Sequence, residues 1–487
     1  TEGRPDARPS CGRQERSREG SMVRRRALSI LVAFAVCAAV VLAPAPDGLS
    51  REGQNAIAVF ALCFVLWVGN ALPLSVTSLF AIVLLPTLKV IPASRSFELF
   101  GSPVVFFILG AFILAAAMMR SGLSTRLALA FLRRFGGSPR ALLAGVIFSG
   151  GFLAFWMPEH AVAALLFPIV LEIVRALGLQ PIKSGYGRAL LLALAWGAVI
   201  GGVATFLGGA RTPLALGILS EHYDLSITFI QWMVAVAPFS IVLMACSYFI
   251  LSRVFKLEVS DVSRAREALN AKAKALGPLS RREKGVAVVV VFTIAAWVAA
   301  GRDMGLASIS IMAAVSLFVF NLIDWKSVEE YVNWGVILMY GGAIAVAAAL
   351  HESGGARWIA NFATSHITGL PPFWMLAVFA IAAAFLTEAI SNVAAVALLL
   401  PICFGIAEGS GISPISVVFV VAVPAGLAFA LPMGTPPNAI AYSAGYYRIR
   451  DSLLAGALLK VVALLLFFVF VRFYWPILSV MTQGGGP

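Results

Sequence analysis

Charge is what this chain has least of. Only 12% of its 487 residues are Asp, Glu, Lys or Arg, about half of the ~25% that a soluble surface carries. With 60% hydrophobic residues and a mean hydropathy of +0.94, that scarcity excludes a water-soluble enzyme, a nucleic-acid-binding module and a disordered chain. Cysteine is sparse and unpatterned. Cys37, Cys63, Cys246 and Cys403 lie in apolar segments and Cys11 in a polar stretch, with no CxxC spacing, so neither a disulfide framework nor a zinc site is expected. No GxxxxGK[ST] occurs, which argues against ATP-driven pumping.

What is abundant is apolar sequence of membrane-spanning length. Such stretches fall near 27–43, 54–69, 71–91, 103–120, 188–207, 228–251, 284–300, 306–323, 333–350, 413–432 and 453–475. Two others, 141–175 and 371–407, are too long for one span and are interrupted by Pro158-Glu159-His160 and by Glu388 through Asn392. A hairpin that enters and leaves by the same side solves that length problem. Its tip must line a cavity or be buried in protein. Residues 1–26 read as a disordered basic tail. Met22 begins a plausible start, and 27–49 reads as the first transmembrane helix, with a signal peptide as the alternative.

The net charge of +13 reports topology before it reports a partner. Basic residues collect in the tail, in 120–140 (Arg120, Arg126, Arg133, Arg134, Arg140) and in 252–283. Eleven spans and two hairpins place all three on the cytoplasmic side, with a cytoplasmic N-terminus in an inner membrane. The segment 252–283 is expected to be a solvated helix linking two halves, 50–251 and 284–487.

Those halves echo one another. Phe106 through Ala111, Arg126, a tip at 158–160, Pro168 and Gly208-Gly209 recur as Ile337 through Gly342, Arg357, a tip at 391–393, Pro401 and Gly434-Thr435. Three spans between equivalent points make this an inverted repeat, the architecture of secondary transporters with broken helices at the midplane.

Ionisable and polar residues at such breaks are costly unless they function. Asn392 and Thr435 offer side-chain oxygens, and Pro436-Pro437 frees carbonyls before it. Together these suit a small hard cation such as sodium, and half-helix N-termini suit an anion. Glu159 and Arg211 would each be expensive alone, and pseudo-symmetry places their loops side by side. Two readings stay open: the Arg211 guanidinium, tethered by Glu159, stands in for a cation, or the pair is an inert buried salt bridge. His160 is a donor to substrate, a proton relay or a satisfied core histidine. His222, His351 and His366 fall near loop ends and are expected to be solvated, and Glu388 is expected to pair with backbone or a neighbouring helix.

From about Ser50 onward the chain resembles the divalent anion/sodium symporters, carriers of di- and tricarboxylates or sulfate. Trp67 through Thr77, Thr387-Glu388-Ala389-Ile390-Ser391-Asn392-Val393 and Met433-Gly434-Thr435-Pro436-Pro437-Asn438 carry the resemblance. It implies that Thr387, the Ile390 carbonyl, Asn392 and the Gly434 carbonyl hold one sodium. It also implies that Ser391, Asn392, Thr435 and Pro436 face the substrate, in an elevator-type homodimer. The first half departs from the family pattern. Pro158-Glu159-His160 stands where Ser-Asn-Thr is usual, Ala154 where a Ser is common, and Gly208-Gly209-Ala210-Arg211-Thr212 where Gly-Thr-x-Pro-Asn is usual. Val393 also replaces the Thr of the second motif.

The sequence thus reads as an all-α polytopic membrane protein that moves a small anion, a di- or tricarboxylate or an oxyanion such as sulfate. Glu159, His160 and Arg211 join the second-half residues at the substrate, and transport is coupled to one sodium or runs as sodium-independent exchange. No other cofactor is expected. The partners are the anion, the bilayer and a second copy, not nucleic acid. The alternatives are a cation/proton antiporter or arsenite-type carrier with Glu159 and His160 as relay, and an intramembrane enzyme, which lacks a third ligand and a nucleophile.

Overall fold

The computed structural model describes residues 11–69, 71–364, 371–408 and 410–478, and among these it is helix, turn and short unpaired extended segments, with no β-sheet. That follows from the solvent: in hydrocarbon an open chain cannot satisfy its backbone, whereas a helix does so internally. Among the described residues, seven helices are long and apolar enough to cross a membrane, including Arg51–Val68, Phe229–Val254, Arg281–Ala300 and Trp334–Glu352. Seven shorter apolar helices accompany them, including Leu74–Thr87, Gly185–Gly201 and Leu306–Val319.

The chain folds as two copies of one plan. Arg51–Val68, Leu74–Thr87, Ala93–Phe100 and Pro103–Ser121 are answered in order by Arg281–Ala300, Leu306–Val319, Trp325–Tyr331 and Trp334–Glu352. The punctuation repeats as well. Left-handed residues at Lys89, Gly122, Gly178 and Asp224 return as Asn321, Gly354, Gly411 and Gly445, each at the end of the corresponding helix. Ser50 and Ser280 cap equivalent helix starts.

The two copies clasp each other reciprocally. Pro103–Ser121 of the first packs on Leu306–Val319 of the second, and Trp334–Glu352 of the second packs on Leu74–Thr87 of the first. A Cβ on Gly110 would lie 2.6 Å from Ser310, and one on Gly342 would lie 2.4 Å from Ser78. Small residues at both contacts let the helix backbones approach, the usual device where lipid supplies no hydrophobic drive between helices. Such exchange of equivalent contacts is what a two-fold relation between the halves produces.

Each half then builds a hairpin and a broken helix. The hairpin arms are Pro139–Ala154 with Glu159–Ala176, and Pro372–Ala389 with Asn392–Glu408. The stretches 188–207 and 413–432, read from sequence as single spans, are shorter helices than expected. Gly185–Gly201 stops before an irregular segment that leads to Arg211–Tyr223. Pro414–Ala422 gives way through the turn Pro424–Gly426 to extended backbone before Pro436–Ser443. Glycine and proline at these points weaken the helical ladder, and tertiary partners described below hold what it releases.

Two other expectations differ in detail. The linker is helical over Ser263–Ala275 but not wholly solvated: Ala265 and Leu269 are buried, and Lys272 reaches Glu172 of the first hairpin at 2.7 Å. The first helix runs Cys11–Leu42 and so takes in much of the expected tail, whose Arg and Glu residues are good helix formers. Residues 1–10 lie outside the described residues.

Candidate functional site

Both hairpin tips and both broken helices meet at one cavity of about 750 Å³. Glu159, His160, Arg211, Ile390, Ser391, Asn392, Gly434, Thr435 and Pro436 all line it, and Thr387 lies fully buried just behind. The structure therefore gathers the residues expected at the anion and at the sodium. Trp67 of Arg51–Val68, Phe112 of Pro103–Ser121 and Asn333, the cap of Trp334–Glu352, also line it.

Four helices begin at this cavity, with Glu159, Arg211, Asn392 and Pro436 as their first residues. Helix starts carry unpaired N–H groups and partial positive charge, so the cavity is biased toward an anion before any side chain is considered. Pro436 and Pro437 sit at the first helical positions, where their missing N–H groups cost nothing. Two carbonyls further back are held by the first turn of the same helix. Asn438 Nδ2 donates to Ala428 O at 2.9 Å and to Leu431 O at 3.3 Å.

In the first half, Arg211 Nη1 donates to Glu159 Oε2 at 3.1 Å, with only 1% and 8% of the two side chains exposed. The Glu159 backbone N–H donates to Gly208 O at 2.8 Å, tying the tip to the irregular segment. The guanidinium sits between two glycines. A Cβ on Gly426 would lie 2.2 Å from Nε and one on Gly209 2.3 Å from Nη1. Nε and Nη2 are buried and have no acceptor among the described residues. Arg211 is thus fixed in the cavity wall, with its spare donors turned away from open space.

In the second half, three oxygens crowd together. Thr387 Oγ1 is 2.6 Å from Asn392 Oδ1 and 2.7 Å from Ala425 O. A hydroxyl has one hydrogen, so it can donate to only one of the two. Turning the Asn392 amide over does not help. Its Nδ2 donates to Glu159 Oε1 at 3.4 Å, and the reverse orientation would set oxygen against carboxylate there. The cluster is therefore one hydrogen-bond donor short, and its atoms are the hard oxygens that a small alkali ion takes. Asn392 joins this cluster to the Glu159–Arg211 pair directly.

The remaining candidates sort by what they touch. His160 is partly exposed to the cavity, makes no hydrogen bond among the described residues and meets Phe112 edge to face with ring centroids 6.3 Å apart. Ser391 and Pro436 also reach open space, whereas Thr435 Oγ1 is buried without a partner. His222 is not solvated as expected. Its Nε2 lies 3.1 Å from Ala347 O and its ring 4.5 Å from that of His351, because the loop end folds back onto Trp334–Glu352. His366 lies outside the described residues. Two contributors were missed from sequence: the Ala425 carbonyl, which no side chain announces, and Lys460, a lone charge in an apolar stretch whose presence was the available signal.

Among characterised proteins, the chain is similar to a Staphylococcus aureus (strain bovine RF122 / ET3-1) protein named sodium-dependent dicarboxylate transporter SdcS. The two are 29% identical over 458 residues, spanning 89% of this chain and 88% of the relative. The same protein from strain USA300 is 28% identical over the same length. Two solved structures share the fold. Neisseria gonorrhoeae MtrF, described with a class of antimetabolite efflux pumps, gives a TM-score of 0.54 at 15% identity over 92% of this chain and 94% of its own. The Alcanivorax borkumensis YdaH transporter gives 0.52 at 16% identity over 94% and 98%. The sodium:sulfate symporter transmembrane region matches residues 24–481, and with cavity, repeat and relatives in agreement the chain belongs to that family of divalent anion/sodium symporters, multi-pass membrane transporters rather than enzymes.

Proposed function

We propose that this transporter carries a small dicarboxylate, coupled to a single sodium ion, with Arg211 standing permanently where a second cation would otherwise bind. The convergence of four helix N-termini on one cavity carries the anion reading. The oxygen cluster at Thr387, Asn392 and Ala425 supports the sodium, and the relatives named sodium-dependent dicarboxylate transporter support both.

In this reading sodium settles among those oxygens and removes their mutual repulsion. The anion then rests against Ser391, Asn392, Thr435 and Pro436 on one side and His160 on the other. The Ile390 and Gly434 carbonyls complete the cation's surroundings. Arg211, neutralised by Glu159, supplies fixed charge without needing an ion from solution, which makes transport less demanding of the sodium gradient. The protein works as a homodimer in an inner membrane with a cytoplasmic N-terminus, one part of each chain sliding elevator-like against the other. The basic segments 120–140 and 252–283 support the orientation.

Reconstituted protein tests the reading. Radiolabelled succinate should enter proteoliposomes under an inward sodium gradient and not under choline, with malate, citrate, oxoglutarate and sulfate ranked by competition. Ion flux without uptake of any anion would point instead to a cation/proton antiporter.

A further inference from the structure

A second buried ion pair lies beside the oxygen cluster, and nothing above gives it a task. Lys460 Nζ is 2.6 Å from Glu388 Oε1, with 5% and 11% of the side chains exposed. Glu388 stands at the end of the Pro372–Ala389 arm, next to Thr387. Its carboxylate accepts the backbone N–H groups of Phe429 at 2.9 Å, Ala430 at 3.2 Å and Leu431 at 3.0 Å. Those are the successive donors of the extended backbone between Pro424–Gly426 and Pro436–Ser443. A helix would have satisfied them, and in a membrane water cannot.

The other side of the same strand is held by the last long helix, Ile449–Val469. Ser452 Oγ donates to Ala430 O at 2.9 Å. A Cβ on Gly456 would lie 2.4 Å from Phe429 O. Ser452, Gly456 and Lys460 recur every fourth residue and so form one face of that helix. The strand is fixed at one end by Ala425 O on Thr387. At the other end a Cβ on Gly434 would lie 3.3 Å from Thr387 O and 3.4 Å from Glu388 Oε2. Among the described residues, the first half has no such charged clamp. There Thr205 Oγ1 donates to Phe155 O at 2.6 Å and Trp232 Nε1 to Val203 O at 3.0 Å.

We infer that Glu388 is a positioning residue for the second-half cation site: held by Lys460, it fixes the irregular segment 427–434 so that the Ala425 carbonyl and Gly434 face Thr387. The inference rests on the sodium reading above. It assigns Lys460 the role of keeping the carboxylate charged within the membrane, since a lone buried carboxylate would otherwise be unstable.

The test separates sodium from substrate. In Glu388→Gln an NH₂ group takes one of the two oxygen positions and meets a backbone donor, so the strand loses an anchor. The sodium concentration for half-maximal succinate uptake should rise about tenfold or more, since anchoring hydrogen bonds to a charged group are among the stronger ones. The succinate KM at saturating sodium should move less than about threefold. Lys460→Arg, which keeps the charge, should raise the sodium requirement less than Glu388→Gln does. Should Glu388→Gln fail to fold, Glu388→Asp, which keeps the charge and the acceptors but shortens their reach, should shift the sodium requirement in the same direction with the succinate KM again moving less. Sodium and succinate requirements rising in parallel, or neither moving, would overturn the inference while leaving sodium coupling intact. Sodium-independent uptake by the unaltered protein would overturn the coupling reading and this inference with it.

Discussion

In the proposed function a single residue, Arg211, takes the place of an ion. Its guanidinium is pressed between Gly209 and Gly426 and anchored by Glu159, while Asn392 links that carboxylate to the oxygen cluster of the other half. Arg211→Ala should abolish uptake and destabilise the protein by about 3–5 kcal/mol, because the Glu159 carboxylate is left buried and unpaired. Arg211→Lys keeps the charge but loses the planar fork, so thermal stability should recover further than transport does. Melting curves in detergent beside uptake assays separate the two, and full uptake by a folded Arg211→Ala protein would show the pair to be inert. This pairing was legible in the sequence because two costly charges at adjacent breaks demand each other. The Ala425 carbonyl was not, since backbone atoms leave no mark in composition. The partner of Glu388 was hidden for another reason: Lys460 is far along the chain, and only the fold brings it back.

At the scale of elements, the breaks do the work that side chains complete. Tips at Pro158 and Ser391-Asn392 were visible as polar interruptions of apolar runs, and the helices break there. The ends of 188–207 and 413–432 were less visible, because the irregular backbone that follows each helix is itself apolar. What stabilises it is tertiary: Asn438, Ser452 and Glu388 around one segment, Thr205 and Trp232 around the other. His222 was misjudged for the same reason, since proximity to a loop end says nothing of what the end packs on. The clasp between halves gives a quantitative check. Gly110→Ala and Gly342→Ala each force a Cβ against a serine of the opposite half, and each should lower stability by about 1–3 kcal/mol. Gly137→Ala, with open space around it, should leave the melting temperature unchanged. Unequal effects at Gly110 and Gly342 would argue against equivalent packing in the two halves.

For the whole molecule, duplication makes two equivalent places, and divergence has made them different. The repeat was readable from spacing, and the structure adds its reciprocal packing and matched left-handed turns. One copy holds the Thr387, Asn392 and Ala425 oxygens, which the proposed function assigns to a mobile cation; the other holds the buried Arg211–Glu159 pair, which it assigns to a cation built into the chain. The central claim is therefore a count. The most direct measurement is the ratio of radiolabelled sodium to radiolabelled succinate taken up by the same proteoliposomes under zero-trans conditions. The account predicts one sodium per succinate. A ratio of two would show that Arg211 has not taken a cation's place, and a ratio of zero would show that the Thr387, Asn392 and Ala425 oxygens do not couple transport at all.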